Sequence, residues 1–207
     1  MQMNRLTRDF FNRDTLVVAK ELLGKVLVHE IDGLKIAGRI VETEAYLGVE
    51  DKAAHSYGGK ITPRLEVMYG FPGISYVYLI YGMYNCFNVV TREKGVPQAV
   101  LVRALEPLSE LDHMSLTRFK KHYAELTKKQ IKNLTNGPGK LCIALSIDRN
   151  LNGEDMCNGG NFYIEDCNYS DFEIVSSKRI GIDYAEEYKD CLWRFYIKEN
   201  VYVSSTK

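Results

Sequence analysis

The chain has 207 residues, and its 27 Lys and Arg are matched by 27 Asp and Glu. That length suits one domain with a sizeable core, and zero net charge argues against a uniformly basic nucleic-acid binder, although local charge matters more than the sum. No apolar run approaches the roughly 18 residues that suggest a membrane span, and five cysteines without a Cys-x-x-Cys pair point to reduced thiols in a cytoplasm, not to disulfides or a structural zinc.

From Asn4 on, the first stretch is polar and charged and carries no secretory pattern. Asp14 or Thr15 can cap a helix that carries Leu16, Val17, Ala19, Leu22 and Leu23, with Gly24 as its stop. An apolar strand follows at residues 25–31. Asp32-Gly33 is a two-residue hairpin signal, and the return strand runs over residues 34–46. Regular pleating puts Ile40, Glu42, Glu44 and Tyr46 on one face. Residues 47–71 read as a connection of a length that is often functional. Strands rich in Tyr, Ile and Val follow at 74–81, 84–91 and 98–105, turned at Gly82 and at Glu93-Lys94-Gly95. This meander predicts a mainly antiparallel sheet. Residues 116–134 read as one basic helix, broken by Asn136-Gly137-Pro138-Gly139, with a second short helix over 140–146. Late strands are expected at 162–165, 171–182 and 192–197. The chain shows no internal repeat and no convincing linker.

The candidate chemistry concentrates between Gly38 and Pro107. Glu44 or Glu42, each beside aromatic groups, could be held as a base that activates water; the competing reading is a strand carboxylate paired with Arg39 or Lys35. His55 is either a hydrogen-bonding group for a ligand or a satisfied core histidine. His29, His113 and His122 lie far from it, with no metal spacing, so neither metal nor cofactor is expected. Tyr46, Tyr69, Tyr76, Tyr78, Tyr81 and Tyr84 either fill a core or offer flat faces to a base, where stacking is worth about 1–3 kcal/mol. Tyr81, immediately before Gly82, would project from a hairpin tip. Arg118, Lys120, Lys121, Lys128, Lys129, Lys132 and Lys140, with Lys178-Arg179 as a second patch, form either a solvated face or a phosphate-binding one.

Taken together, Arg39-Ile40-Val41-Glu42-Thr43-Glu44-Ala45-Tyr46, Tyr76-Val77-Tyr78-Leu79-Ile80-Tyr81-Gly82-Met83-Tyr84, Leu101-Val102-Arg103-Ala104-Leu105-Glu106-Pro107, Asn136-Gly137-Pro138-Gly139-Lys140-Leu141-Cys142 and Arg179-Ile180-Gly181-Ile182 resemble the 3-methyladenine (alkyladenine) DNA glycosylase family. The resemblance runs from about Leu16 to Ile197. It implies a single mixed α/β (α+β) domain spanning the chain, with a curved antiparallel sheet, surrounding helices and a protruding hairpin that enters the DNA minor groove. It implies that Glu44 activates water, helped by Arg103 and the carbonyl of Ile180. Tyr46, His55 and Tyr78 would line the base pocket, Asn88 would reject normal guanine, and Tyr81 would intercalate. Glu42 becomes a supporting residue, and Lys140, Lys178 and Arg179 become contacts to the DNA backbone. The expected partner is double-stranded DNA carrying a damaged purine, bound by a cytoplasmic monomer without cofactor. Val49 stands where the family pattern often has proline. The competing readings are a nucleosidase acting on free nucleosides and a non-catalytic nucleic-acid-binding module.

Overall fold

The computed structural model describes residues 4–204. A short strand β1 (Asn4–Arg5) and a single-turn helix α1 (Arg8–Phe11) precede α2 (Thr15–Glu21). Asp14 caps α2: its carboxylate accepts from the amides of Leu16 and Val17. The hairpin β2 (Val26–Ile31) and β3 (Leu34–Tyr46) turns at Asp32-Gly33, both with positive φ, as the sequence predicts. Residues 47–74 hold three short 3-10 turns and no strand. Then come β4 (Ser75–Ile80), β5 (Tyr84–Thr91) and β6 (Gln98–Pro107). Helices α3 (Leu111–Phe119), α4 (Lys128–Lys132) and α5 (Pro138–Ala144) follow, and β7 (Phe162–Asp166), β8 (Ile174–Ser177) and β9 (Arg194–Ile197) complete the order.

The nine strands of the described residues belong to one antiparallel sheet, in the order β1-β7-β2-β3-β6-β5-β4, with β9 added to β3 and β8 to β9. The expected curved antiparallel sheet with surrounding helices and a projecting hairpin is therefore the observed architecture. The largest core cluster lies where α2, α3 and α5 cover the sheet, with Val18, Leu22, Phe87, Met114, Leu141 and Leu145 at its centre.

Three expectations change. The single helix at 116–134 is two helices separated by a 3-10 turn. Lys120 takes a left-handed conformation (φ 59°) that ends α3, and Thr127 restarts the chain with a capping box to Gln130. The strand expected over 171–182 is only β8. The third change bears on function. Glu42, Glu44 and Tyr46 do share a face, but Ile40 does not join them. The β3–β6 register shifts between Ile40 and Glu42, where Val41 is extra on β3, and shifts back between Glu42 and Thr43, where Arg103 is extra on β6. Ile40 and Val41 both pack in the main core, and beyond them the odd-numbered Thr43 and Ala45 face α2, with Thr43 Oγ1 donating to the Ala19 carbonyl. At the same point β3 changes its partner on one edge, from β2 to β9.

Among the described residues, no helix is long and apolar enough to cross a membrane.

Candidate active site

Two carboxylates on β3 meet one arginine on β6. Arg103 donates from Nε to Glu42 and from Nη1 to Glu44, each at 3.1 Å. Both glutamates are completely buried. Burial disfavours a charge on Arg103, but Glu44 and then Glu42 outweigh it and hold its pKa above the ordinary value.

Glu42 is saturated. Its Oε1 also accepts from Arg194 Nε at 2.6 Å and Ser204 Oγ at 2.7 Å, and its Oε2 accepts from the Ser204 amide at 2.7 Å. Glu44 has three donors: Arg103, the Tyr46 hydroxyl at 2.9 Å and the Ile180 amide at 2.8 Å. A carboxylate offers about four lone-pair positions, so Glu44 keeps one open. Tyr46, Arg103 and Ile180 all line one cavity of about 150 Å³, together with His55, Tyr76, Tyr78, Asn88, Pro138 and Tyr184. Glu44 therefore sits directly behind the cavity wall.

The wall is aromatic and rigid. The Tyr78 ring lies 5.3 Å from that of Tyr76 and 4.6 Å from that of His55, centroid to centroid. Burial raises the pKa of Tyr46, Tyr76 and Tyr78, so all three remain phenols. Burial and then the nearby Arg64 charge push His55 down to about 4, which keeps the ring neutral near pH 7. Asn88, almost fully buried, donates its amide to the Tyr76 carbonyl at 3.1 Å. Held this way, its side chain is a fixed part of the cavity wall.

The hairpin joining β4 to β5 stands at the cavity mouth. The Met83 amide closes its turn on the Ile80 carbonyl, and Tyr81 (φ 53°) and Gly82 (φ 69°) both take left-handed conformations. A two-residue turn with positive φ at both centres suits the twist of the flanking strands. The cost falls on Tyr81, since a non-glycine residue loses about 1–2 kcal/mol there. Tyr81 is 83% exposed and Met83 66%. The base of the hairpin is pinned by α5: a side chain at Gly139 would meet Tyr84 at 2.9 Å.

Arg179 does not belong to a phosphate patch. It is buried, with Nη1 and Nη2 on the two oxygens of Asp51 at 2.6 and 2.8 Å and Nη1 also on the Ala45 carbonyl. Its guanidinium lies 4.8 Å from the Tyr46 ring centre. It thus backs the cavity wall and anchors the segment that brings Ile180 to Glu44. No phosphate can reach it. Lys178 is exposed and pairs with Asp190; Lys140 is partly buried, with Nζ on the side-chain oxygens of Asn133 and Asn136. Lys120, Lys121, Lys128, Lys129 and Lys132 are solvent-exposed. The Ile180 amide donates to Glu44 at 2.8 Å.

The sequence reading passed over Arg64, which touches His55 and Tyr76, and Tyr184 at the cavity rim. Both lie in irregular segments where no periodicity marks them; the length of the 47–71 connection was the only pointer to the first. Among the described residues no three His, Cys, Asp or Glu gather as metal ligands would.

The family model for "Methylpurine-DNA glycosylase (MPG)" matches residues 9–201. A protein of Desulfitobacterium hafniense (strain Y51), bearing the name "Putative 3-methyladenine DNA glycosylase", is 64% identical over 98% of this chain and 99% of its own. One of the same name from Clostridium botulinum (strain Hall) is 56% identical over 97% of this chain and 98% of its own. Matches this long and this complete show that the chain belongs to the methylpurine-DNA glycosylase family and is a DNA glycosylase, an enzyme of DNA repair.

Proposed function

We propose that the protein, as one glycosylase domain acting as a monomer, flips alkylated or deaminated purines out of duplex DNA. 3-Methyladenine, 7-methylguanine, hypoxanthine and ethenoadenine belong to this class. The N-glycosidic bond is then hydrolysed with a Glu44-activated water, in the cytoplasm where the DNA lies. The observation that carries the reading is the unsaturated, buried Glu44 behind a cavity walled by Tyr46, His55 and Tyr78.

The physics of each step fits these residues. A glycosidic bond inside stacked duplex is out of reach, so the nucleotide must leave the stack, at a cost of a few kcal/mol that is smaller for a damaged pair. Tyr81, exposed on a stiff turn, fills the gap. The phenol rings of Tyr46 and Tyr78 favour electron-poor or cationic bases through their π faces. As the bond stretches, positive charge grows on the sugar; Glu44 stabilises it and takes the proton of the attacking water. A cationic purine leaves readily, so little acid help is needed. Among the described residues no lysine lines the cavity, which supports water attack over an amine that would form a Schiff base with the sugar. Lys140 and Lys178 remain as phosphate contacts.

The test offers the enzyme duplexes containing hypoxanthine or 7-methylguanine, the same lesions in single strands, and the free nucleosides. Base release from duplex with the strand left intact, and no borohydride-trapped adduct, is expected. Cleavage of free nucleosides alone would make the protein a nucleosidase.

A further inference from the structure

Most arginines of this fold are paired with a carboxylate. Among the described residues, four are not: Arg5, Arg64, Arg118 and Arg149. Arg5 is spent on the carbonyls of Gly159 and Gly160, and Arg118 on those of Asn133 and Leu134. Arg64 and Arg149 have neither. Both are exposed, and both line one groove of about 340 Å³, with Val77, Tyr78, Leu79 and Asn152. Arg64 touches only the Tyr76 hydroxyl and the His55 ring, with its guanidinium 5.2 Å from the Tyr78 ring centre. Arg149 opens the 3-10 turn Arg149–Leu151, and its side chain has no hydrogen-bond partner among the described residues. The adjacent Asp148 is turned onto the Asn150 amide at 2.8 Å.

The groove runs along a strand edge. β4 ends the sheet path, so its outer edge has no strand beside it. The chain at 152–154 covers the first half of that edge: the Ser75 amide donates to the Glu154 carbonyl and the Val77 amide to Asn152 Oδ1, each at 2.9 Å. Amides two residues apart on a strand point to the same edge. The Leu79 amide is therefore the next outward donor, and no described residue accepts from it. The groove thus gathers two guanidiniums, which can only donate, and a free backbone N–H. What it lacks is an anionic acceptor.

We propose that this groove is a phosphodiester site, in which Arg64, Arg149 and the Leu79 amide take one phosphate of the duplex. The proposal rests on Tyr81 filling the stack beside a flipped nucleotide. At about 3.3 Å per residue, Leu79 lies about 7 Å behind Tyr81 along β4, which is about two base steps along a duplex axis. A phosphate near the gap can therefore lie in the groove while Tyr81 occupies the stack. Guanidiniums suit it, because their planar forks meet phosphate oxygens in pairs. Two like charges lining one groove also repel, and a phosphate between them relieves that repulsion.

The test compares wild type with Arg64→Gln, Arg149→Gln and the double variant, and reads affinity for an undamaged duplex against salt. One phosphate contact contributes about 0.9 to the slope of log affinity against log salt. If both arginines hold the same phosphate, the double variant should lose about 0.9 in slope and about five- to ten-fold in affinity at 0.1 M salt. Two separate phosphates would give a loss of about 1.8 and overturn the shared site; an unchanged slope would overturn the site altogether. Arg149 has no partner in the fold, so Arg149→Gln should keep the wild-type melting temperature. A second readout places the contact. Neutral methylphosphonates are set one at a time around a hypoxanthine, and single-turnover excision gives the concentration for half-saturation. One position within about two nucleotides of the lesion should weaken wild type and have no further effect on the double variant. A penalty of equal size in both proteins at every position would overturn the proposal. If the slopes behave as expected while wild type excises no base, the glycosylase reading of the cavity fails and the phosphate site survives.

Discussion

Glu42 and Glu44 lie two residues apart on the same face of the same strand, both are fully buried, and both accept from Arg103. They nevertheless live in different chemical situations. Glu42 meets Arg103, Arg194 and two donors of Ser204, and it joins β3, β6, β9 and the chain beyond β9. Glu44 meets one donor fewer, and each of its partners is also part of the cavity wall. Burial and contact with Arg103 are common to both, so neither tells the two carboxylates apart. What separates them is their surroundings: the cavity wall around Glu44, the junction of strands around Glu42.

The sharpest test of that contrast is Glu44→Gln. The amide keeps the shape but loses the base and the negative charge, so single-turnover excision should fall by about 10²–10⁴-fold, with binding to damaged duplex nearly intact. Near-wild-type turnover would erase the contrast. Glu42→Ala should do the reverse. Stranding Arg194 and half of Arg103 without a counter-ion should cost about 3–5 kcal/mol of stability, read by denaturant unfolding, while the rate per folded molecule changes far less. A large rate loss with unchanged stability would move the base to Glu42.

Next in size is a change that leaves both carboxylates alone. Tyr81→Gly forfeits stacking worth about 1–3 kcal/mol, so excision at a paired hypoxanthine should drop by about one to two orders of magnitude and at an unpaired site much less. Relief of the left-handed strain should leave the melting temperature equal or slightly higher. Equal loss on both substrates with a lower melting temperature would make Tyr81 a structural residue. The smallest effect belongs to the exposed charge beside a buried one. Lys178→Ala should reduce the slope of log affinity against log salt by about 0.9. Arg179→Ala should leave the slope alone and destabilise the fold through the stranded Asp51. A flattened slope in the Arg179 variant would return that arginine to the DNA interface.

The hairpin at Asp32-Gly33, the meander through β6 and the helix after Asp14 were readable because each rests on local chemistry: turn residues, alternation, a cap. The β-rich segment 74–91 and its turn at Gly82 were readable for the same reason. Three matters were not. The bulge at Val41 has no sequence mark, since Ile40-Val41 reads as ordinary strand. The role of Arg179 depends on Asp51, which lies 128 positions away, and beside Lys178 a buried arginine looks like half of a surface patch. The break in the basic helix at Lys120 is a left-handed residue that neither Gly nor Asn announces. Resemblance named Glu44, Tyr46, His55, Tyr78, Asn88 and Arg103; the last five line one cavity, and Glu44 is bonded to its wall from behind.

The bulge makes β3 behave like a reading frame. Up to Ile40 the even positions face the core, and from Val41 the odd ones do, the extra Val41 on β3 being matched by the extra Arg103 on β6. Adding a single residue between Ile40 and Glu42 would put the strand out of phase. Thr43 and Ala45 would then turn toward the cavity, a hydroxyl and a methyl in place of the two carboxylates, and Glu42 and Glu44 would be driven against α2. Adding two would restore the phase. Substitutions at Val41 that keep its bulk can therefore be absorbed, whereas a change of one in the count of residues there alters every side chain the strand offers to the cavity.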